Sequence, residues 1–159
     1  RLIMYDIILI TTGNNEVREK IENQFESCFI VDCSVNDKLT VMEALENAVS
    51  HKVKVILTYR CPYIIPKTIF SIATIGSYNI HPSLLPNYPG LNPWNEIFKD
   101  KIKHSGVSLH RLDVIPDSGD IIYSDTFDIE DHDTIDTARR KSDFIAAKLL
   151  ERLITSYLK

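Results

Sequence analysis

Tyr5-Asp6-Ile7-Ile8-Leu9-Ile10, followed at once by Thr11-Thr12-Gly13-Asn14, sets the rhythm that the rest of the chain repeats. Its apolar residues run nearly without interruption, as in a strand covered on both faces. Gly13 and Asn14 then supply a turn with helix-capping side chains, and a polar helix to about Glu26 is expected next. Cys28 to Cys33 reads as a second strand, and Leu39 to Val49 as a helix with Val41, Leu45 and Ala48 on one face. Val53-Lys54-Val55-Ile56-Leu57 reads as a third strand. Such alternation builds an open parallel sheet with crossover helices.

Downstream, Ile75 to Ile80 is expected to add a parallel strand, ending in a proline-rich loop from Pro82 to Pro93. Gly106 to Leu112 and Ile121 to Phe127 are strand-like, joined through Pro116-Asp117-Ser118-Gly119, a strong turn signal. Thr134 to Leu158 is expected to be a long helix, with Ile135, Ala138, Ile145, Leu149 and Leu153 at core spacing and Asp133 as its cap. The fold expected is therefore α/β: a Rossmann-like open, mostly parallel sheet with helices on both faces and a late strand pair. No repeat, low-complexity tract or linker divides the sequence, so residues 1–159 read as a single domain.

Hydrophobic residues at 44% and charged residues at 25% are usual for a soluble globular domain. The net charge of -4 argues against nucleic-acid partners, which need a surplus of Lys and Arg. Cys28, Cys33 and Cys61 are an odd count with no C-x-x-C spacing, which points away from a disulfide scaffold or zinc site. No leader is visible, and no run approaches the ~20 apolar residues of a membrane span. A cytoplasmic protein with no membrane partner is the expectation. No metal is expected, since the histidines lack ligand spacing such as H-E-x-x-H.

Asn79-Ile80-His81 ends a strand, so Asn79 and His81 share a face while Ile80 turns to the core. Open sheets bind ligands beyond the carboxyl ends of their strands. Two polar groups there suit polarisation of a carbonyl and stabilisation of the charge it develops. On spacing alone the plainer account is the commoner one: Asn79 caps the strand and His81 bonds the next loop. Pro82-Ser83-Leu84-Leu85-Pro86-Asn87-Tyr88-Pro89-Gly90 is a stiff wall, or simply a rigid loop. Asp117 in its turn ordinarily bonds its own backbone. His110 either packs on its strand or lines a cleft, and His51, His104 and His132 read as surface residues. Trp94 is a core residue or a substrate wall, and nothing near Cys61 marks it as a nucleophile.

Asn79-Ile80-His81-Pro82-Ser83-Leu84-Leu85-Pro86, then Gly90, then Gly106-Val107-Ser108-Leu109-His110, then Asp117-Ser118-Gly119-Asp120-Ile121-Ile122 resembles the folate-dependent formyltransferase family. The likeness is strongest from Val55 to Phe127. It implies the formyltransferase fold, with 10-formyltetrahydrofolate as co-substrate at the carboxyl edge of the sheet. It assigns Asn79, His81 and Asp117 to catalysis. It places the pterin on the main chain of Tyr63, Ile64 and Ile65 and of the segment from Asp113 and Val114 to Asp117. Gly13, Asn14, Ser83 and Gly90 fall where acceptor contacts are expected.

The implied chemistry transfers a formyl group to the amine of a small molecule. Asn79 would donate to the developing oxyanion, a contact typically worth ~3 kcal/mol of barrier. Asp117 would hold the protonation state of His81 and help carry the amine's proton to the leaving nitrogen. Members acting on glycinamide ribonucleotide carry a Gly-rich phosphate loop after the first strand, which Thr12-Gly13-Asn14-Asn15 matches only in part. Members acting on transfer RNA add a further domain. An amino sugar nucleotide is therefore the preferred acceptor. Transfer to glycinamide ribonucleotide (a phosphoribosylglycinamide formyltransferase activity), hydrolysis of 10-formyltetrahydrofolate and a non-catalytic folate-binding module are the alternatives.

Overall fold

Among residues 2–159, which the computed structural model describes, the strands are β1 (Met4–Thr11), β2 (Cys28–Asp32), β3 (Lys52–Tyr59), β4 (Gly76–His81), β5 (His104–Arg111) and β6 (Ile121–Asp128). The helices are α1 (Glu16–Gln24), α2 (Lys38–Ala48), α3 (Lys67–Phe70), α4 (Trp94–Lys99) and α5 (Ile135–Tyr157). The strands form one sheet in the order β2-β1-β3-β4-β5-β6. β2, β1, β3 and β4 run parallel, and β5 is antiparallel to both β4 and β6. This is the mostly parallel α/β sheet with a late strand pair that the pattern of apolar runs predicts.

The unbroken apolar run of β1 has a direct cause. Ile7 and Leu9 face one core, with Val17 and Ile21 of α1 and Leu149, Leu150, Leu153 and Ile154 of α5. Ile8 and Ile10 face the other, with Val41, Leu45 and Ala48 of α2 and Ile69 of α3. All four β1 side chains are wholly buried, and each such burial stabilises by about 1.5–3 kcal/mol. A polar residue at any of them would face a core on whichever side it turned.

The element ends differ from expectation in instructive ways. Asn15, and not the preceding turn residues, caps α1, its side chain accepting from the Arg18 amide at 2.9 Å. β3 continues through Thr58 and Tyr59, because both still pair in register with their neighbours. The cap of α5 is Thr134, which forms a capping box with Thr137. Asp133 instead accepts from Lys141 at 2.6 Å and from the Glu130 amide at 2.8 Å. Of the helix positions expected in the core, Ala138, Leu149 and Leu153 are buried, whereas Ile135 and Ile145 are only partly so. His51 is not simply a surface residue: it accepts from the Ile3 amide at 3.1 Å and packs edge-on against Tyr5. Among the described residues, no helix is long and apolar enough to cross a membrane.

Candidate functional site

Strand order reverses between β1 and β3, since β2 lies on one side of β1 and β3 on the other. A crevice at the carboxyl ends of the strands follows from that topology. A cavity of about 590 Å³ opens there, lined by Thr12 after β1, Thr58 to Ile65 at the end of β3, and Asn79 to Pro82 at the end of β4. Gly90, Leu91, Asn92 and Trp94 close one side, Leu112, Asp113, Pro116 and Asp117 another, and Arg139 and Ser142 of α5 a third.

Alternation along the strands decides which side chains meet. Tyr78 and Ile80 of β4 and Val107 and Leu109 of β5 point into the core beneath α5. Asn79 and His81, with Ser108 and His110, therefore share the opposite face, and the antiparallel register sets Asn79 beside His110 and His81 beside Ser108. Residues 112–120 leave β5 and double back across that face. They bring the Asp117 carboxylate to 3.6 Å from His81 Nδ1 and 3.7 Å from His110 Nε2. Both imidazoles are almost fully buried. Side chains 31 and 38 positions from the strand-end asparagine thus share one pocket with it, counting from Asn79 to His110 (110 − 79) and to Asp117 (117 − 79).

The tautomers follow from the partners. His81 Nε2 lies 2.8 Å from the Tyr88 carbonyl, an acceptor, so Nε2 carries a hydrogen and Nδ1 is the nitrogen turned to Asp117. His110 Nδ1 lies 2.8 Å from the Arg111 carbonyl, so it too must donate. Burial, first among the causes, holds the His110 pKa below the ordinary value near 6.5, and its Nε2 is a bare acceptor at neutral pH. Asn79 Nδ2, 3.0 Å away, supplies the hydrogen. Asn79 Oδ1 in turn accepts from the Thr58 hydroxyl at 2.7 Å. The amide is held at both ends, and its second N–H is left for the cavity that Asn79 lines.

Acid should disrupt this chain. Protonated His110 would present Nε2–H to the Asn79 amino group, donor against donor. Because the folded pKa is depressed, the unfolded chain binds the proton first, so stability is held above about pH 6.5 and lost as pH falls toward the folded value. His110→Gln, whose carbonyl accepts from Asn79 without titrating, should flatten the fall in melting temperature between about pH 7 and pH 5. An equally steep fall in that variant would assign the acid sensitivity elsewhere.

The proline-rich loop is tied to the same groups. Ser108 Oγ donates to the Ser83 carbonyl at 2.7 Å and accepts from the Leu85 amide at 3.0 Å. Ser83 Oγ donates to the carbonyls of Asn87 at 2.6 Å and Tyr88 at 3.0 Å. The Gly90 amide donates to Asp117 at 2.8 Å. Arg60, Tyr88 and Asp117 all have left-handed backbones, at φ of 54°, 52° and 59°. Strain of about 1–3 kcal/mol per residue is thus gathered around this cavity.

Gly119 fixes where Asp117 sits. A Cβ there would lie 1.8 Å from the Arg111 carbonyl oxygen, backbone against backbone. Gly119→Ala should therefore displace the turn and cost about 1–3 kcal/mol of stability, read as a drop in thermal midpoint; an unchanged midpoint would contradict the close approach.

The residues expected at the site divide clearly. Asn79, His81, Asp117, Tyr63, Ile64, Ile65, Asp113 and Gly90 line the cavity, and Val114, Ser83, Gly13 and Asn14 do not. Val114 is exposed, and Ser83 is buried within its own loop. The Gly13 amide is occupied by Asp32 Oδ1 at 2.9 Å. Thr58, Arg60, Arg139 and Ser142 line it without having been singled out. Thr58 lies one residue past the expected end of its strand, and its pairing with Asn79 depends on a register that apolar patterning does not encode. Burial raises the Cys61 pKa and pushes that of Cys33 up to about 12, in keeping with inert thiols. Among the described residues, no group of three or more His, Cys, Asp or Glu is placed to hold a metal ion.

Ser142 stands apart. It is 1% exposed, and its hydroxyl has no hydrogen-bond partner although the residue lines the cavity. An unsatisfied buried hydroxyl costs about 1–3 kcal/mol.

A sequence model of the family described as "Formyl transferase" matches residues 12–154. A methionyl-tRNA formyltransferase of Caldicellulosiruptor saccharolyticus is 36% identical over 87 residues, covering 55% of this chain and 28% of that protein. The chain spans between 28% and 39% of the length of such curated relatives. Among solved structures, the phosphoribosylglycinamide formyltransferase of Streptococcus pneumoniae superposes with a TM-score of 0.75 at 18% identity, covering 98% of this chain and 100% of that one. The formyltetrahydrofolate deformylase of Pseudomonas syringae gives 0.78 at 18% identity, covering 94% and 60%. At such identities the structural likeness carries the fold alone.

Proposed function

The chain belongs to the formyl transferase family, and from that premise we propose that residues 1–159 act as one catalytic domain transferring a formyl group from 10-formyltetrahydrofolate to the amine of a small molecule. The observation that carries this reading is the Asn79 amide, anchored by Thr58 and His110 with one N–H free, beside an Asp117 carboxylate that faces two imidazoles. The cavity suits the donor: Tyr63, Ile65 and Leu91 offer apolar walls, and the loop backbones at Tyr63–Ile65 and at Asp113, Pro116 and Asp117 offer polar edges for a pterin.

The acceptor nitrogen attacks as the free amine. A bond forms from that nitrogen to the formyl carbon, and the carbonyl oxygen takes up negative charge. Asn79 Nδ2–H donates to this oxygen, and its fixed orientation means nothing need reorganise as charge develops. His81, its ring locked by the Tyr88 carbonyl, turns Nδ1 to the space between the reacting groups and Asp117. The carboxylate accepts the proton the attacking nitrogen sheds, directly or through His81 or a bridging water. The bond from carbon to the folate nitrogen then breaks, and that nitrogen receives the proton. The products are an N-formyl amide and tetrahydrofolate.

An amino sugar nucleotide is the acceptor we favour, and the same side chains could direct water instead. Supplying 10-formyltetrahydrofolate with a panel of amines and following folate release by absorbance separates these outcomes. Release that depends on one amine supports transfer; release with no amine present assigns hydrolysis; no release under any condition overturns the catalytic reading.

A further inference from the structure

The cavity extends past the reacting groups, over the strand ends, to a second polar region on the α5 side of the sheet. Tyr63 and Ile65 pack with the core under α2 and α3, whereas Arg139 and Ser142 belong to α5, which covers the other face. One cavity therefore has two arms, one on each side of the sheet edge. With the pterin assigned to the Tyr63–Ile65 arm, the α5 arm is left for the acceptor.

Its charge is uneven. Arg60 is neutralised by Asp143, with Nη2 at 2.8 Å from both carboxylate oxygens, and the Tyr59 hydroxyl bonds the same carboxylate. Arg139 has no comparable partner; its nearest carboxylate, Asp136, is exposed and 3.8 Å away. Ser142, one helical turn beyond Arg139, contributes the unpartnered buried hydroxyl. The Arg139 guanidinium, held only by that loose exposed ion pair, and the unpartnered Ser142 hydroxyl belong to residues at i and i+3 that both line the cavity. The β1–α1 turn offers nothing equivalent. Its Gly13 amide is taken by the Asp32 carboxylate, itself held by Arg18 and Ser34, so that amide is not free for an incoming anion.

We propose that Arg139 and Ser142 form an anion subsite, and that the accepting amine carries a phosphate or carboxylate read from α5 and not from the turn after β1. This rests on the formyl-transfer reading for the place of the pterin and for the identity of the ligand as an acceptor. The orphan hydroxyl donates to an anionic oxygen, and Arg139 supplies the matching charge.

Three amino sugars that differ only at carbon 6 test it: glucosamine, glucosamine 6-phosphate and glucosaminuronic acid. Binding is followed by the fluorescence of Trp94, the only tryptophan, which lines the cavity. 5-Formyltetrahydrofolate is titrated in parallel as an unreactive donor analogue. The wild type should bind one anionic sugar about ten- to a hundredfold more tightly than glucosamine, and the preferred one identifies phosphate or carboxylate. Ser142→Ala and Arg139→Gln should each remove most of that preference and leave 5-formyltetrahydrofolate affinity unchanged. Ser142→Ala should also melt higher than the wild type without ligand, since it deletes an unsatisfied group. Equal affinity for all three sugars, or variants that retain the preference, would overturn the subsite. Failure of the folate analogue to bind, with the sugar preference intact, would overturn the formyl-transfer reading and leave the subsite standing.

Discussion

Asn79→Ala is expected to lower kcat for formyl transfer about 10²- to 10³-fold, the usual effect of removing one fixed oxyanion donor, with KM for the folate little changed. The expectation follows from what the amide touches. Thr58 and His110 engage its oxygen and one hydrogen, so the remaining hydrogen contributes only where charge develops, and its loss falls on kcat. The variant also leaves the Thr58 hydroxyl and His110 Nε2 without partners, so its melting temperature should fall modestly. Asn79→Asp discriminates further. It retains an acceptor for Thr58 but offers no donor to the oxyanion and sets a carboxylate against His110, so it should be no more active than the alanine variant. Full activity in either would remove Asn79 from the chemistry.

Asp117→Asn should cost about 10²- to 10⁴-fold in kcat, the range associated with a positioned acid–base group. The substitution is chosen for its backbone. Asp117 has φ of 59°, and asparagine tolerates that left-handed conformation better than alanine does. Its side-chain oxygen can still accept from the Gly90 amide, which lies 2.8 Å from the native carboxylate. What it loses is the charge facing His81 at 3.6 Å and His110 at 3.7 Å, and with it the proton acceptor. A thermal midpoint near that of the wild type with activity largely gone is the expected pair of results. Retained activity would place the proton transfer elsewhere.

Much of the architecture was readable because burial writes itself into composition. The Ile7–Ile10 run has to be buried on both faces, and the Val41, Leu45 and Ala48 spacing has to be a helix face. The site was only partly readable, for physical reasons that differ by residue. Strand alternation set Asn79 and His81 on one face, but only the resemblance of the Asn79–Pro86 string to the formyltransferases marked them for chemistry. Asp117 in a Pro-Asp-Ser-Gly turn gave no hint of which way the turn folds, because that depends on Gly119 packing against the Arg111 carbonyl. Thr58 needs the β3–β4 register to meet Asn79. Arg139 and Ser142 sit in a helix whose periodicity reports its apolar face, and the polar end of that face is silent until the helix is docked. The Asp133 cap was misplaced by one residue because Asp133 and Thr134 are both good caps, and the Lys141 ammonium draws the carboxylate away.

In the proposed mechanism one transferable carbon lies between Asn79 and Asp117. The most direct measurement incubates the protein with 10-formyltetrahydrofolate labelled at the formyl carbon and an acceptor amine, and locates the label by mass spectrometry. The label should appear in an N-formyl amide, one for each tetrahydrofolate released, and remain on the folate with Asn79→Ala. Label found only in formate, or amide formed equally well by the variant, would contradict the account.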